Sequence, residues 1–151
     1  MMNFEPLGEA SEQNVAAFEQ QIGFGLPPDY RRFLVENNGA EVFDQTFFVK
    51  DLDKEVMLDV LFGVTNPTSR GLTLGYWLKE YEDELESGTL IIGKDPGGSF
   101  LIYTIAGEDK GLYYWDKNYL FAQSSELEGN AYFVADSFTE FRDSLRDYTL
   151  A

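Results

Sequence analysis

The chain predicts an α+β domain: a central, mostly antiparallel sheet with helices at its amino- and carboxyl-terminal ends and one in the middle. Apolar residues recur at helical spacing near both ends and again around residues 74–85. Between these segments lie short runs of aromatic and β-branched residues divided by glycine turns, the pattern of strands that pair with their neighbours. With 44% hydrophobic residues, 13 Phe and 9 Tyr among them, the 151 residues suffice for one domain with a true core.

Taken in order, Ser11 is placed to cap a helix whose Val15, Phe18 and Ile22 share a face, and Gly23 suits its end. After Phe24-Gly25-Leu26, Pro27 and Pro28 fit the first turn of a second helix, where a missing N–H costs nothing. Asp29 favours the positive end of that helix dipole, Tyr30, Phe33 and Leu34 form its apolar stripe, and Gly39 supplies a stop. Val42-Phe43, Phe47-Phe48-Val49 and the run from Val56 to Val64 then read as strands. Within the last run Leu58, Val60, Phe62 and Val64 share one face while Met57 and Leu61 take the other, so both faces are expected to be covered. Asn66-Pro67-Thr68-Ser69 is turn material. Leu74, Trp77, Leu78, Tyr81 and Leu85 return to helical spacing, with Gly88 as the close. Leu90 to Gly93 and Phe100 to Ile105 flank a turn at Lys94 to Gly98, and Leu112 to Trp115 follows the turn Gly107 to Gly111. A short strand around Tyr132-Phe133-Val134 precedes a last helix opened by the capping box Ser137-Phe138-Thr139-Glu140, with Phe138, Phe141 and Leu145 inward.

Composition removes several function classes. Twenty-seven acidic residues against 11 basic ones leave a formal charge of −16, which repels phosphate backbones and anionic membranes. Two readings of that charge stand: solubility alone, or guidance of a basic protein partner. The chain has neither cysteine nor histidine, so disulfides, Cys/His zinc sites and Ser-His-Asp or Cys-His catalysis are impossible within it. Met1-Met2-Asn3-Phe4-Glu5-Pro6 lacks the basic start and apolar run of a signal peptide, and no apolar stretch is long enough to cross a bilayer. A soluble, cytoplasmic protein without cofactor or metal is the expectation.

Four blocks resemble the SUKH superfamily in its Smi/Knr branch. They are Leu26-Pro27-Pro28-Asp29-Tyr30-Arg31-Arg32-Phe33-Leu34 with Asn37-Asn38-Gly39; Ile91-Ile92-Gly93 with Asp95 and Gly97-Gly98; Leu112-Tyr113-Tyr114-Trp115-Asp116; and Val134 to Phe141. Ala40 departs from the pattern, since many relatives have a second glycine there, and the acidic stretch from Glu80 to Glu86 resembles an insertion. The resemblance sets residues 1–10 apart as an amino-terminal extension before a domain from 11 to 151. It implies a non-enzymatic protein. Bacterial members are similar to immunity proteins that bind and neutralise a cognate toxin, often a nuclease. Fungal relatives regulate cell-wall assembly through protein contacts. No catalytic residue set transfers from the family.

Carboxylate chemistry survives the loss of histidine and cysteine, and a carboxylate-dependent hydrolase is the remote alternative. Asp51, Asp53, Glu55 and Asp59 lie around a predicted strand without a pattern that separates an acid from a base, and a solvated face is the better reading. Asp51 to Glu55 lacks the full calcium-loop pattern, and Asp95-Pro96-Gly97-Gly98-Ser99 lacks the Walker ending, so its glycines suit a hairpin. The candidate partner-binding residues are therefore Glu80, Glu82, Asp83, Glu84 and Glu86, with Tyr114 and Asp116 from the aromatic strand. On a helix Glu80 and Glu84 share a face, as do Glu82 and Glu86, and like charges at that spacing repel mildly. The bland reading of the cluster is a solvated helix end; the sharper one is an electrostatic landing site for a basic toxin, a form of nucleic-acid mimicry. Trp77 is expected in the core. Neighbours on the Tyr113-Tyr114-Trp115 strand point to opposite faces, so sequence alone does not choose which aromatic meets a cleft.

Overall fold

A computed structural model of the chain describes residues 2–116 and 131–148. Four helices appear among these residues: α1 (Glu12–Ile22), α2 (Pro28–Asn37), α3 (Leu74–Glu80) and α4 (Phe138–Ser144). The ten strands are β1 (Phe4–Pro6), β2 (Ala40–Val42), β3 (Gln45–Val49), β4 (Lys54–Met57), β5 (Val60–Leu61), β6 (Thr89–Lys94), β7 (Phe100–Thr104), β8 (Gly111–Trp115), β9 (Ala131–Ala135) and β10 (Arg146–Asp147). They form a seven-stranded sheet in the order β1-β2-β5-β6-β7-β8-β9 and a three-stranded sheet in the order β10-β3-β4. Every ladder between these strands is antiparallel, so the α+β expectation holds. The segment that the sequence sets apart as an extension contributes β1 to the large sheet and buries Met2.

Period-two alternation decides what each face of the large sheet meets. Leu101 and Tyr103 of β7 share a face with Tyr114 and Leu112 of β8, their cross-strand partners. Helices α1, α2 and α4 and the small sheet cover this side: Tyr30 packs on Tyr103 with centroids 5.5 Å apart, Phe33 on Phe138 at 4.9 Å and Phe47 on Tyr114 at 6.0 Å. Phe100 and Trp115 face the other way, where Trp77 and Tyr81 cover them at 5.2 and 5.6 Å respectively. Offset and edge-on ring pairs of this kind add about 0.5–1.5 kcal/mol each to plain burial, which makes the aromatic content a structural asset.

The helix ends follow their local chemistry. Ser11 caps α1 in a reciprocal box with Asn14, and Gly23 ends the helix in the left-handed region at φ 86°. Arg31 then ties α2 to α1, with its guanidinium donating to Glu12 and, at 3.1 Å, to Glu19. The second oxygen of Glu19 accepts from the Leu26 amide at 2.7 Å, which sets the α1–α2 joint. Asp29 ties α2 to α4 by accepting from the Thr139 hydroxyl at 2.7 Å and its amide at 2.9 Å.

Two elements differ from the sequence expectation. The run from Val56 to Val64 is not one strand: the chain leaves the small sheet and enters the large one at Leu58–Asp59. The Leu58 amide donates to Gln45 in β3, whereas the Asp59 amide donates to Lys94 in β6. Alternation persists through the crossing, so the sequence pattern does not register the change of hydrogen-bond partner. Both faces around β5 are nonetheless buried, as Val60, Leu61 and Phe62 show. The helix from Leu74 ends at Glu80, not at Gly88, and Tyr81 is its cap. Acids stacked beyond Glu80 would sit at the negative end of the helix dipole and repel one another at helical spacing, so the chain turns instead.

The Asn38-Gly39 pair is the tightest point in the fold. Asn38 takes the left-handed conformation at φ 52° that asparagine tolerates, and its amide caps α2 at Leu34. Its buried side chain accepts from the Val64 amide at 2.8 Å and donates to the Thr65 carbonyl at 2.6 Å. Gly63 lies so close that a Cβ there would stand 2.1 Å from the Asn38 carbonyl oxygen. Gly63→Ala is therefore expected to cost on the order of 3 kcal/mol in urea denaturation, because backbone must move on both sides. Gly75→Ala meets no atom within 4 Å in α3, and should raise stability by about 0.5–1 kcal/mol in the same assay.

Burial alone would raise the Asp29 pKa, but the Thr139 hydrogen bonds, with one from the Tyr30 amide, outweigh it and hold the carboxyl below its usual range. The tie thus stabilises the fold above the unfolded-state pKa and is lost as pH falls through the lower folded value. Asp29→Asn should reduce stability by about 1–2 kcal/mol at pH 7, with the deficit closing below about pH 4 in paired denaturation curves.

Candidate functional site

The predicted site residues fall into two groups. Glu80 ends α3, and Glu82, Asp83, Glu84 and Glu86 follow in the turns that lead to β6; all five are exposed. Tyr81 anchors this acidic turn. Its ring lies edge-on to Phe100 at 5.1 Å and to Trp115 at 5.6 Å, and its carbonyl accepts from the Glu84 and Leu85 amides. Five carboxylates are thus presented from the end of α3 and a turn that Tyr81 and Leu85 pack against the core.

Tyr114 and Asp116 belong elsewhere. Tyr114 is only 3% exposed and lies on the face opposite α3, against Phe47. Its hydroxyl donates to Asp95 at 2.8 Å, and the other oxygen of Asp95 accepts from the Ser99 amide at 2.8 Å. Asp116 accepts from the Ser99 hydroxyl at 3.3 Å. Burial raises the Tyr114 phenol most; a hydrogen bond with Ser99 lowers it, and the hydrogen bond and charge of Asp95 and the charge of Asp116 raise it, which leaves it well above its ordinary value. The phenol therefore remains a proton donor and braces the β6–β7 hairpin. The structure thus buries the Tyr114 ring against Phe47, where the sequence reading expects it at the surface. Tyr114→Phe should cost about 1–2 kcal/mol on thermal or chemical unfolding, because Asp95 loses its buried donor.

Of the three β8 aromatics among which the sequence does not choose, Tyr113 is the partly exposed one. Tyr113 pairs with Phe133 across the β8–β9 ladder, their rings edge-on at 5.7 Å, and Phe133 is 40% exposed. A bulge between Leu112 and Tyr113 sets this register, so alternation along either strand alone does not reveal it. Burial raises the Tyr113 phenol first, and the charges of Asp109, Asp136 and Glu86 raise it further. Glu86 therefore brings the acidic turn towards this aromatic pair.

A cleft of about 270 Å³ opens on another side of the turn. Ile22 and Phe24 line one wall and Leu78 and Leu85 the other, with Glu82 and Glu86 beside them. All four apolar side chains are partly buried against the core. Helical spacing makes Leu78 and Leu85 legible as inward residues, but only the tertiary fold sets them opposite Phe24. Among the described residues no group of three or more acidic side chains could hold a metal ion. No helix among them is long and apolar enough to cross a membrane.

A helix anchored by asparagine, a seven-stranded antiparallel sheet and an acidic turn on its α3 side define a small α+β domain. The chain belongs to the SMI1 / KNR4 family (SUKH-1), whose model matches residues 9–144. It is similar to the uncharacterized protein YobM of Bacillus subtilis (strain 168), 26% identical over 134 residues that make up 81% of this chain and 58% of that protein. It is also similar to the uncharacterized protein YnaB of the same organism, 46% identical over 35 residues, or 23% of this chain and 24% of that protein. The chain thus matches little more than half the length of the first relative. Family membership fits a protein that works through protein–protein interaction, as an immunity protein or as a regulator.

Proposed function

We propose that the protein is an immunity protein: it binds a cognate bacterial toxin, such as a nuclease, and neutralises it as a stoichiometric complex without catalysis. The observation that carries this reading is the acidic turn. Within a SUKH family chain of charge −16, five carboxylates project from one short, core-anchored segment. A nuclease presents cationic groups where it grips phosphates, so a surface of this sign attracts the toxin at long range and competes for its substrate groove. Desolvated contacts then come from the apolar side chains beside the turn, since exposed charge pairs alone are worth about 0–1 kcal/mol each. A regulatory interaction module of the same fold is the second reading. It shares the family and the acidic surface, and the greater length of YobM leaves room for a different context.

Co-expression with a candidate toxin domain, taken from any toxin-like reading frame found beside the gene, separates the two. Restored viability together with a 1:1 complex supports immunity, whereas capture of several non-toxic partners and no protection supports the regulatory module. Replacing Glu80, Glu82, Asp83, Glu84 and Glu86 by their amides should slow association about tenfold at low salt and flatten its salt dependence in stopped-flow binding. Unchanged rates would remove the turn from the mechanism.

A further inference from the structure

The cleft between α1 and the acidic turn combines an apolar surface with a charged one. Its walls are the apolar side chains of Ile22, Phe24, Leu78 and Leu85, and its charged lining is Glu82 and Glu86. Both walls are held from behind. The left-handed cap at Gly23 ends α1 and redirects the chain into Phe24, with its amide donating to the Glu19 carbonyl at 2.9 Å. On the far side the Leu85 amide donates to the Tyr81 carbonyl at 3.1 Å, and the Gly88 carbonyl accepts from Ile105 at 2.7 Å. The cleft is therefore a feature of the folded domain rather than a gap between free side chains.

Its chemistry selects an occupant. A purely apolar side chain would strip water from two carboxylates and return nothing to them. A small cation would satisfy the carboxylates but leave the walls uncovered. A long side chain with an aliphatic stem and a cationic head does both, and the weakly hydrated, planar guanidinium suits a half-apolar site next to carboxylates better than an ammonium does. No ion pair among the described residues already engages Glu82 or Glu86. We propose that this cleft takes an arginine side chain from a basic protein partner, stem along Phe24, Leu78 and Leu85 and head against Glu82 and Glu86. The inference rests on the partner-binding reading above and names the anchor that such a partner supplies. Arginine is among the residues most often found at the energetic centre of interfaces, in pockets of this kind.

The test uses n-butylguanidinium as the probe, titrated into the isotopically labelled full chain at constant ionic strength and followed by amide NMR shifts. Butylurea, its neutral shape analogue, and guanidinium without the alkyl chain are the comparisons. The expected result is a saturable response confined to Phe24, Leu78, Leu85, Ser87 and Gly88, with each comparison binding about fivefold more weakly. Glu82→Gln with Glu86→Gln should bring butylguanidinium down to the level of butylurea. Asp51→Asn with Asp53→Asn removes the same charge between β3 and β4, away from the acidic turn, and should leave the affinity unchanged. Equal binding of butylurea would overturn the proposal in favour of an apolar occupant. Equal binding of guanidinium, or shifts spread along the whole acidic surface, would overturn it in favour of diffuse cation attraction. The toxin-protection assay fails or succeeds independently: protection with an unresponsive cleft removes this anchor alone, and a responsive cleft without protection removes the immunity reading alone.

Discussion

The close crossing of Asn38 and Gly63 sets the position of everything on the α3 side of the sheet. Asn38 closes α2 in a left-handed conformation and turns its side chain onto the backbone of Val64 and Thr65. That grip brings the chain after β5 against the end of α2 so tightly that Gly63 has no space for a Cβ. Gly63 in turn accepts the Leu74 amide at 2.8 Å and donates to Leu72 at 2.9 Å, which fixes where α3 begins. Trp77 and Tyr81 then reach Phe100 and Trp115, and the acidic turn follows at a defined place. The asparagine-glycine motif that marks the resemblance is thus the first link in a mechanical chain ending at the charged surface.

Other motif residues are structural for the same kind of reason. Arg31 joins α2 to α1 through Glu12 and Glu19, and Asp29 joins α2 to the start of α4 through Thr139. Asp95 and Ser99 close the β6–β7 hairpin, and Tyr114 of β8 and Asp116 just after it hold them. Each such tie is modest, about 1 kcal/mol net. Their common effect is to hold helices and hairpins at fixed angles, so that apolar layers of Phe, Tyr and Trp interlock on both faces of the sheet. What the motif residues have in common is the scaffold, which leaves partner choice to the segments between them.

The acidic turn is such a segment, and its physics is two-sided. Like charges crowded at the end of α3 disfavour helix and help the chain to leave it at Glu80. The same charges, kept in water, cost little to hold exposed and extend an attractive field towards cationic surfaces over about 8–10 Å at physiological salt. Long-range attraction and short-range fit therefore come from adjacent places: carboxylates on the turn, apolar walls in the cleft beside it, and the Tyr113–Phe133 pair on the sheet.

Sequence by itself determined the class of fold, because periodicity of apolar residues is imposed by the geometry of helix and strand. The caps at Ser11, Gly23 and Ser137 and the strands on either side of the Asp95–Ser99 turn were legible for that reason, as was the inward placing of Phe33, Phe138 and Phe141. Tertiary structure alone decided where the Val56–Val64 run changes sheets, since alternation does not reveal which neighbour receives a hydrogen bond. It decided that Tyr114 is buried under Phe47, and that Tyr113 meets the accessible Phe133 through a bulge that shifts one strand against the other. It also decided that Phe24 stands across a cleft from Leu85, although 60 positions separate them in the chain. Contacts at that separation depend on the path of the whole backbone, which no local spacing encodes.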